Sequence, residues 1–119
     1  MENCIFCKII NKELPASVVF DNEEFLAFSP KDQISPGHTL LIPKKHQVDV
    51  FDLDPNSFER LARVAQRLSK ELVEMFNATG VNLLNASGKD AQQSIFHFHL
   101  HIVPRYENDG LDLWFRNKL

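Results

Sequence analysis

Long hydrophobic runs, a surplus of basic residues and a large set of cysteines are all missing from this sequence. No apolar stretch approaches the ~20 residues that a transmembrane helix requires, and the first residues lack the basic and apolar regions of a signal peptide. We therefore expect a cytoplasmic protein that does not cross a membrane. The net charge of −3 argues against a nucleic-acid-binding protein, because such domains usually carry a basic surplus. It is compatible with a small phosphorylated ligand, which needs only a few local donors.

The two cysteines, Cys4 and Cys7, lie three positions apart. In a cytoplasmic protein this spacing indicates half of a metal site or a redox pair before a structural disulfide. The pair supplies two ligands, so a complete metal site needs others from elsewhere in the chain. A dithiol redox enzyme is disfavoured, because no thioredoxin-like βαβ pattern surrounds the motif.

The 119 residues contain no repeat, low-complexity tract or linker, so we expect a single domain over residues 1–119. Apolar runs separated by turn residues predict a short helix and five strands. The helix covers residues 5–10, and the strands cover 18–20, 25–28, 38–42, 81–84 and 95–103. The turn between the first two strands is expected at Asp21 and Asn22.

A long helix is predicted to begin at Asp54, a good N-cap, with Pro55 in the first helical position. Gly80 is expected to end it. Apolar residues recur there at steps of three and four, which gives one apolar face: Phe58, Leu61, Ala65, Leu68, Leu72 and Met75. Strands, one long helix and no regular βαβ repeat indicate an α+β domain. We expect an antiparallel sheet with the helix covering one face.

Three of the five histidines lie at alternate positions in the last predicted strand. Side chains alternate between the two faces of a strand. His97, His99 and His101 should therefore share one face. The other face should pack on the long helix through Phe96, Phe98, Leu100 and Ile102.

Two kinds of chemistry fit three imidazoles on one strand face. Two histidines at i and i+2 can bind one zinc ion. Alternatively, one imidazole attacks the substrate while its neighbours stabilise charge. A hydrolytic zinc site usually also has a carboxylate base, and the nearest acids, Asp90 and Glu107, lie outside the strand. The pattern alone leaves the metal site and covalent catalysis about equally favoured.

The order of motifs along nearly the whole chain resembles the histidine-triad (HIT) superfamily. The pattern His-φ-His-φ-His-φ-φ, in which φ is apolar, matches residues 97–103 at every position. The other matching blocks are residues 4–10, residues 36–46, Asn85 with Gly88, Gln93 with Ser94, and Pro104 with Arg105. The resemblance implies a five-stranded antiparallel sheet with one short and one long helix, usually in a homodimer.

This resemblance implies a nucleotidyl hydrolase or transferase that acts at the α-phosphate of a purine nucleotide conjugate. His99 would be the nucleophile and would form a nucleotidyl-histidine intermediate. Its second ring nitrogen would bond to the backbone carbonyl of His97. His101 and His38 would contact the phosphate oxygens, where fixed donors contribute most.

Three further residues would bind substrate by the same resemblance. Gln93 and Ser94 would lie near the scissile bond and the leaving group, and Asn85 would bind the phosphate or ribose side. We expect a nucleoside phosphoramidate as substrate, with a dinucleoside polyphosphate as the alternative. A nucleotide-binding regulatory module with little turnover and a metal-dependent hydrolase are the competing classes.

Zinc-bearing branches of the family use two cysteines and two histidines as ligands. The matching residues are Cys4, Cys7, His46 and His97. A closed set of this kind implies a structural ion that holds the N-terminal segment against the sheet.

The sequence departs from the family in the loop before His38. Members commonly carry Phe-x-Asp-x-x-Pro there, and the aspartate holds the ribose hydroxyls. Pro30 stands at the aspartate's position and Gln33 at the proline's, while Asp32 lies two residues later. The ribose contact is therefore unassigned, and so is the role of residues 106–119, which include Trp114 and Phe115.

Overall fold

The computed structural model describes residues 3–115 and shows a five-stranded antiparallel sheet with two α-helices. The helices are α1 (Ile5–Ile10) and α2 (Pro55–Met75), and a short 3-10 helix spans Lys89–Ala91. The strands are β1 (Ser17–Asp21), β2 (Phe25–Ser29), β3 (Thr39–Pro43), β4 (Gly80–Leu84) and β5 (Leu100–Arg105). Their order across the sheet is β1-β2-β3-β5-β4, and every neighbouring pair is antiparallel. The predicted α+β architecture is confirmed.

Alternating apolar side chains place a core on each face of the sheet. On one face, Leu61, Ala65, Leu68 and Leu72 of α2 pack with residues of β2, β3 and β5. On the other face, Phe6 of α1 packs with Leu26, Phe28, Leu40 and Ile42. At the two ends of the predicted apolar face of α2, Met75 is 72% exposed, and Phe58 is 43% exposed while its ring meets that of Phe98 edge-on. None of the helices in residues 3–115 has the length and apolarity needed to cross a lipid bilayer.

Helix α2 begins as predicted and ends earlier than predicted. The carboxylate of Asp54 accepts the N–H of Ser57, which caps the first turn. The expectation that Gly80 ends the helix is wrong. Asn77 takes a φ of 57°, and the N–H of Ala78 bonds to the carbonyl of Val73 at 2.9 Å. This is the Schellman arrangement, in which asparagine can replace glycine, and Gly80 instead opens β4.

The last strand also starts later than predicted, at Leu100 instead of residue 95. Pro43, at the end of β3, has no N–H to donate to a neighbouring strand, and its carbonyl oxygen lies 2.7 Å from Nε2 of His97. The N–H of Phe98 bonds to the carbonyl of Gln47. Before Leu100, contacts to a side chain and to a loop thus replace the backbone hydrogen bonds that would pair this segment with β3. Phe98 and Ile102 do lie in the core beside α2, but Phe96 is 51% exposed, so its predicted packing on the helix is wrong.

Candidate active site and metal centre

His99 is buried directly before β5, on the face of the sheet that α1 covers. Its ring meets the ring of Phe6 edge-on, with 5.2 Å between centroids. Its Nδ1 lies 2.9 Å from the backbone carbonyl oxygen of His97, which is the contact that the family resemblance implies. A carbonyl oxygen only accepts hydrogen bonds, so Nδ1 carries the ring proton. Nε2 therefore keeps a free electron pair.

The rings of His38 and His101 stack on each other beside His99. Nδ1 of His38 accepts the backbone N–H of Ile34 at 3.2 Å, so its proton must lie on Nε2. That Nε2 is 3.0 Å from Nδ1 of His101 and donates to it. The proton of His101 is thereby fixed on its own Nε2. The His101 ring lies 5.1 Å from that of His99.

Burial keeps these imidazoles neutral near pH 7. It is the largest cause that lowers the pKa of His99 and of His38. Burial, followed by the charges of His99 and His38, lowers the pKa of His101 to about 4. A neutral ring is the nucleophilic form of histidine, and burial favours that form at His99.

The side chains of Asn85 and Gln93 are engaged with the protein's own groups. Asn85 donates to the carbonyl of His99 at 3.0 Å and accepts from Oγ of Ser87 at 2.7 Å. Gln93 is buried; it donates to the carbonyls of Val48 and Ile95 and accepts the N–H of Gly88. Both amides thus fix the loops around the site.

Ser94 is exposed and lines an open cavity of about 500 Å³. The other residues of its wall come from the N-terminal segment and from the loops after β3 and before β5: Asn3, Cys4, Ile5, His46, Ile95 and Phe96. Ser94 therefore meets open space beside the metal ligands Cys4 and His46, and the lining of this cavity does not include His38, His99 or His101.

The four predicted metal ligands come together around Nδ1 of His97. The ligand atoms of Cys4, Cys7, His46 and His97 all lie within 4.8 Å of one another. Nδ1 of His97 is 3.4 Å from the sulfur of Cys4 and 3.6 Å from that of Cys7, and Nδ1 of His46 is 3.3 Å from the sulfur of Cys7. Tetrahedral zinc with ordinary bond lengths separates sulfur and nitrogen ligands by about 3.6 Å. The donor types and their spacing therefore fit zinc.

His97 has the ring form that a metal ligand requires. Its Nε2 lies 2.7 Å from the carbonyl oxygen of Pro43 and must carry the proton, which leaves the electron pair of Nδ1 facing the sulfurs. Such a bond behind a ligating histidine fixes its orientation. Burial, reinforced by Cys4, raises the pKa of Cys7 to about 11. A cation among these ligands would stabilise the thiolate.

The sequence did not reveal three contributors to the site. Phe6 was visible only as part of a short apolar helix, and Ser87 only as one polar residue of a loop. The backbone N–H of Ile34 leaves no trace in a residue pattern. Of the C-terminal segment, Tyr106 donates to the carbonyl of Pro36 and Trp114 stacks on Phe115; residues 116–119 lie outside the described range.

The HIT domain model matches residues 11–108. A HIT family protein from Bacillus anthracis superposes with a TM-score of 0.91 at 41% identity, over 98% of this chain and 83% of that one. A zinc-bound histidine triad family protein from Mycobacterium smegmatis gives 0.89 at 38% identity, over 94% and 81%. A HIT family hydrolase from Legionella pneumophila gives 0.75 at 34% identity, over 88% and 95%.

Proposed function

The chain belongs to the HIT family, and from this premise we propose that it is a nucleotidyl hydrolase or transferase with His99 as its nucleophile. The proposed substrate is a purine nucleotide conjugate, with a nucleoside phosphoramidate favoured over a dinucleoside polyphosphate. The hydrogen bond from Nδ1 of His99 to the His97 carbonyl carries the proposal. It makes Nε2 the nitrogen with the available electron pair, as covalent catalysis at phosphorus requires.

In the first step, Nε2 of His99 forms a bond to the α-phosphorus while the bond to the leaving group breaks. The leaving group takes the bonding electron pair and a proton from solvent. The ring of His99 becomes positively charged once Nε2 is bonded to phosphorus, and the His97 carbonyl stabilises it through the Nδ1 proton. Water then attacks the same phosphorus, the P–N bond breaks with its electron pair returning to Nε2, and the nucleotide leaves while the water's proton passes to solvent.

His101 supplies a fixed donor for this chemistry. The hydrogen bond from His38 places the proton of His101 on Nε2. From there it can form a hydrogen bond to a phosphoryl oxygen as negative charge develops on that oxygen. His38 itself has both ring nitrogens occupied. We therefore give His38 a positioning role in place of the direct phosphate contact that the family resemblance implied.

Asn85 and Gln93 are also proposed as positioning residues. Asn85 holds the carbonyl of the nucleophile, and Gln93 ties together the loops on either side of the site. Ser94 keeps its predicted substrate-contacting role, because its side chain is exposed and its sequence position next to Gln93 matches the family pattern.

We propose that Cys4, Cys7, His46 and His97 hold a structural zinc ion. A closed set of four protein ligands stabilises the fold and leaves no position for substrate, so the ion supplies rigidity to the N-terminal segment and to His97. The zinc-bound relative from Mycobacterium smegmatis supports the assignment. Reduced thiols at Cys4 and Cys7 favour a cytoplasmic location.

We further propose a homodimer formed through β4 and the adjacent face of α2. Strand β4 lies at one edge of the sheet, and its Leu83 is 48% exposed. An apolar groove runs beside it, lined in part by Phe58 and Val81. An exposed apolar edge of this kind favours self-association. Sedimentation at micromolar protein concentration should give the mass of two chains.

Trapping of the covalent intermediate tests the proposed function. An adenosine phosphoramidate labelled at the phosphorus should leave label on the wild-type protein after a rapid quench. His99→Ala should carry no label and show no turnover. His101→Gln serves as the matched control, because it keeps the nucleophile and should acquire label more slowly. Turnover at the wild-type rate in His99→Ala would refute the assignment.

A further inference from the structure

Cys4 and Cys7 have a geometry that permits a bond between them. Cys4 precedes α1 and Cys7 lies in its first turn, and the sulfur of Cys4 accepts the N–H of Cys7 at 3.4 Å. Their sulfurs lie within 4.8 Å of each other. A disulfide requires sulfurs about 2.05 Å apart, so the two side chains must rotate to bring the sulfurs from this separation into bonding range.

The thiol pair is also accessible from solvent. Both cysteines are partly exposed, and Cys4 lines the open cavity of about 500 Å³ together with His46. A small molecule that enters this cavity therefore meets one sulfur and one histidine of the metal centre. A structural cluster sealed inside the protein would not offer this access.

We propose that Cys4 and Cys7 are a reversible redox pair, which a hydroperoxide oxidises to a disulfide with release of the metal ion. One sulfur attacks the peroxide, the O–O bond breaks, and a sulfenic acid forms. The second sulfur then attacks the first, the S–O bond breaks, and the S–S bond forms. With hydrogen peroxide, two thiols give one disulfide and two molecules of water, and the two electrons pass from sulfur to oxygen.

Oxidation removes two of the four metal ligands at once. The thiolate is the form of cysteine that binds zinc, and a disulfide has no thiolate to offer. His46 and His97 would remain, which is too few for a closed tetrahedral site. The release of metal rests on the zinc site proposed above, whereas the formation of the disulfide does not.

Oxidation of the two cysteines also affects His99, because His97 contacts both the metal cluster and His99. His97 contributes Nδ1 to the metal cluster, and its backbone carbonyl holds Nδ1 of His99. Loss of the ion frees one side of the His97 ring, while its bond to Pro43 persists. Oxidation therefore slows turnover without abolishing it, and a dithiol reductant restores the rate.

The test uses the purified 119-residue chain, loaded with zinc and treated with hydrogen peroxide. We expect the loss of two titratable thiols per chain and the release of about one zinc ion, measured with a chromogenic chelator. The intact mass should fall by two hydrogen atoms. Dithiothreitol should restore the thiols and the mass, and the reduced chain should bind added zinc again once the chelator and the reductant are removed. None of these measurements involves nucleotide turnover, so failure of the redox proposal and failure of the proposed function are distinguishable.

Cys4→Ser is the matched control, because it keeps one thiol and cannot form the internal bond. It should show added oxygen or disulfides between chains in place of the loss of two hydrogens. A wild-type protein that gains oxygen atoms while both cysteines fail to pair would overturn the proposal. If the chain binds no zinc, the release of metal is refuted and the thiol count still decides the disulfide.

Discussion

Protonation of His101 should destabilise the folded protein at acid pH. In the folded state, Nδ1 of His101 accepts a hydrogen bond from Nε2 of His38 at 3.0 Å. A protonated imidazole carries a proton on both nitrogens and cannot accept this bond. Burial is the largest cause that lowers the pKa of His101 to about 4, whereas an unfolded histidine has a pKa of about 6.5.

The direction and size of the effect follow from these two values. As pH falls below about 6.5, the unfolded chain takes up a proton at this residue that the folded chain does not bind. Stability therefore decreases between pH 6.5 and about 4 and is unaffected by this group at higher pH. A difference of roughly 2.5 pKa units corresponds to about 3 kcal/mol, of which about 2 kcal/mol is lost by roughly pH 5.

Urea unfolding at a series of pH values from 7 to about 4.5 would measure this loss. The matched variant is His101→Asn, because an asparagine oxygen can accept the bond from His38 and does not titrate. The other four histidines are present in both proteins, so the difference between the two stability curves reports His101 together with its interactions with His38 and His99. Curves that fall in parallel for the wild type and His101→Asn would refute the reasoning.

Three further perturbations test the roles assigned to other residues. His38→Phe removes the donor to His101 and should lower the free energy of unfolding by about 1–3 kcal/mol and slow turnover. His38→Gln retains a donor group and should lose less stability and less activity. Urea melts and rate assays would measure the two effects. Gln93→Leu leaves a peptide N–H and two carbonyls without their partner, and should lower stability by at least about 2 kcal/mol while raising KM; unchanged melting and kinetics would contradict the positioning role. Replacing Cys4 and Cys7 together by serine should remove about one zinc ion per chain and lower Tm, with activity at low temperature largely retained; elemental analysis and thermal melts would show this, and a variant that melts like the wild type would argue against a structural ion.

Much of the fold follows from local features of the sequence. Asp54 and Pro55 mark the start of the long helix because capping depends on residues within one turn. The first four predicted strands agree with the structure to within one residue at each end. The end of α2 was misplaced because Asn77, an uncommon stop, takes the left-handed conformation in place of a glycine. The start of β5 was misplaced because a partner strand, and not the alternation within 95–103, decides where pairing begins.

The sequence by itself determined which chemical groups are present and which of them share a strand face or a motif: the spaced histidines, the Cys-x-x-Cys pair and His46. Only the tertiary structure decided what each group can do. The roles of the histidines depend on where their protons sit, and backbone groups fix those positions through the His97 carbonyl for His99, the Pro43 carbonyl for His97 and the Ile34 N–H for His38. His38 and His101 lie 63 residues apart in the chain, and Gln93 and Val48 lie 45 apart. Every residue carries the same backbone N–H and C=O groups apart from proline's missing N–H, so residue identity does not reveal which of them will meet a given imidazole until the chain has folded.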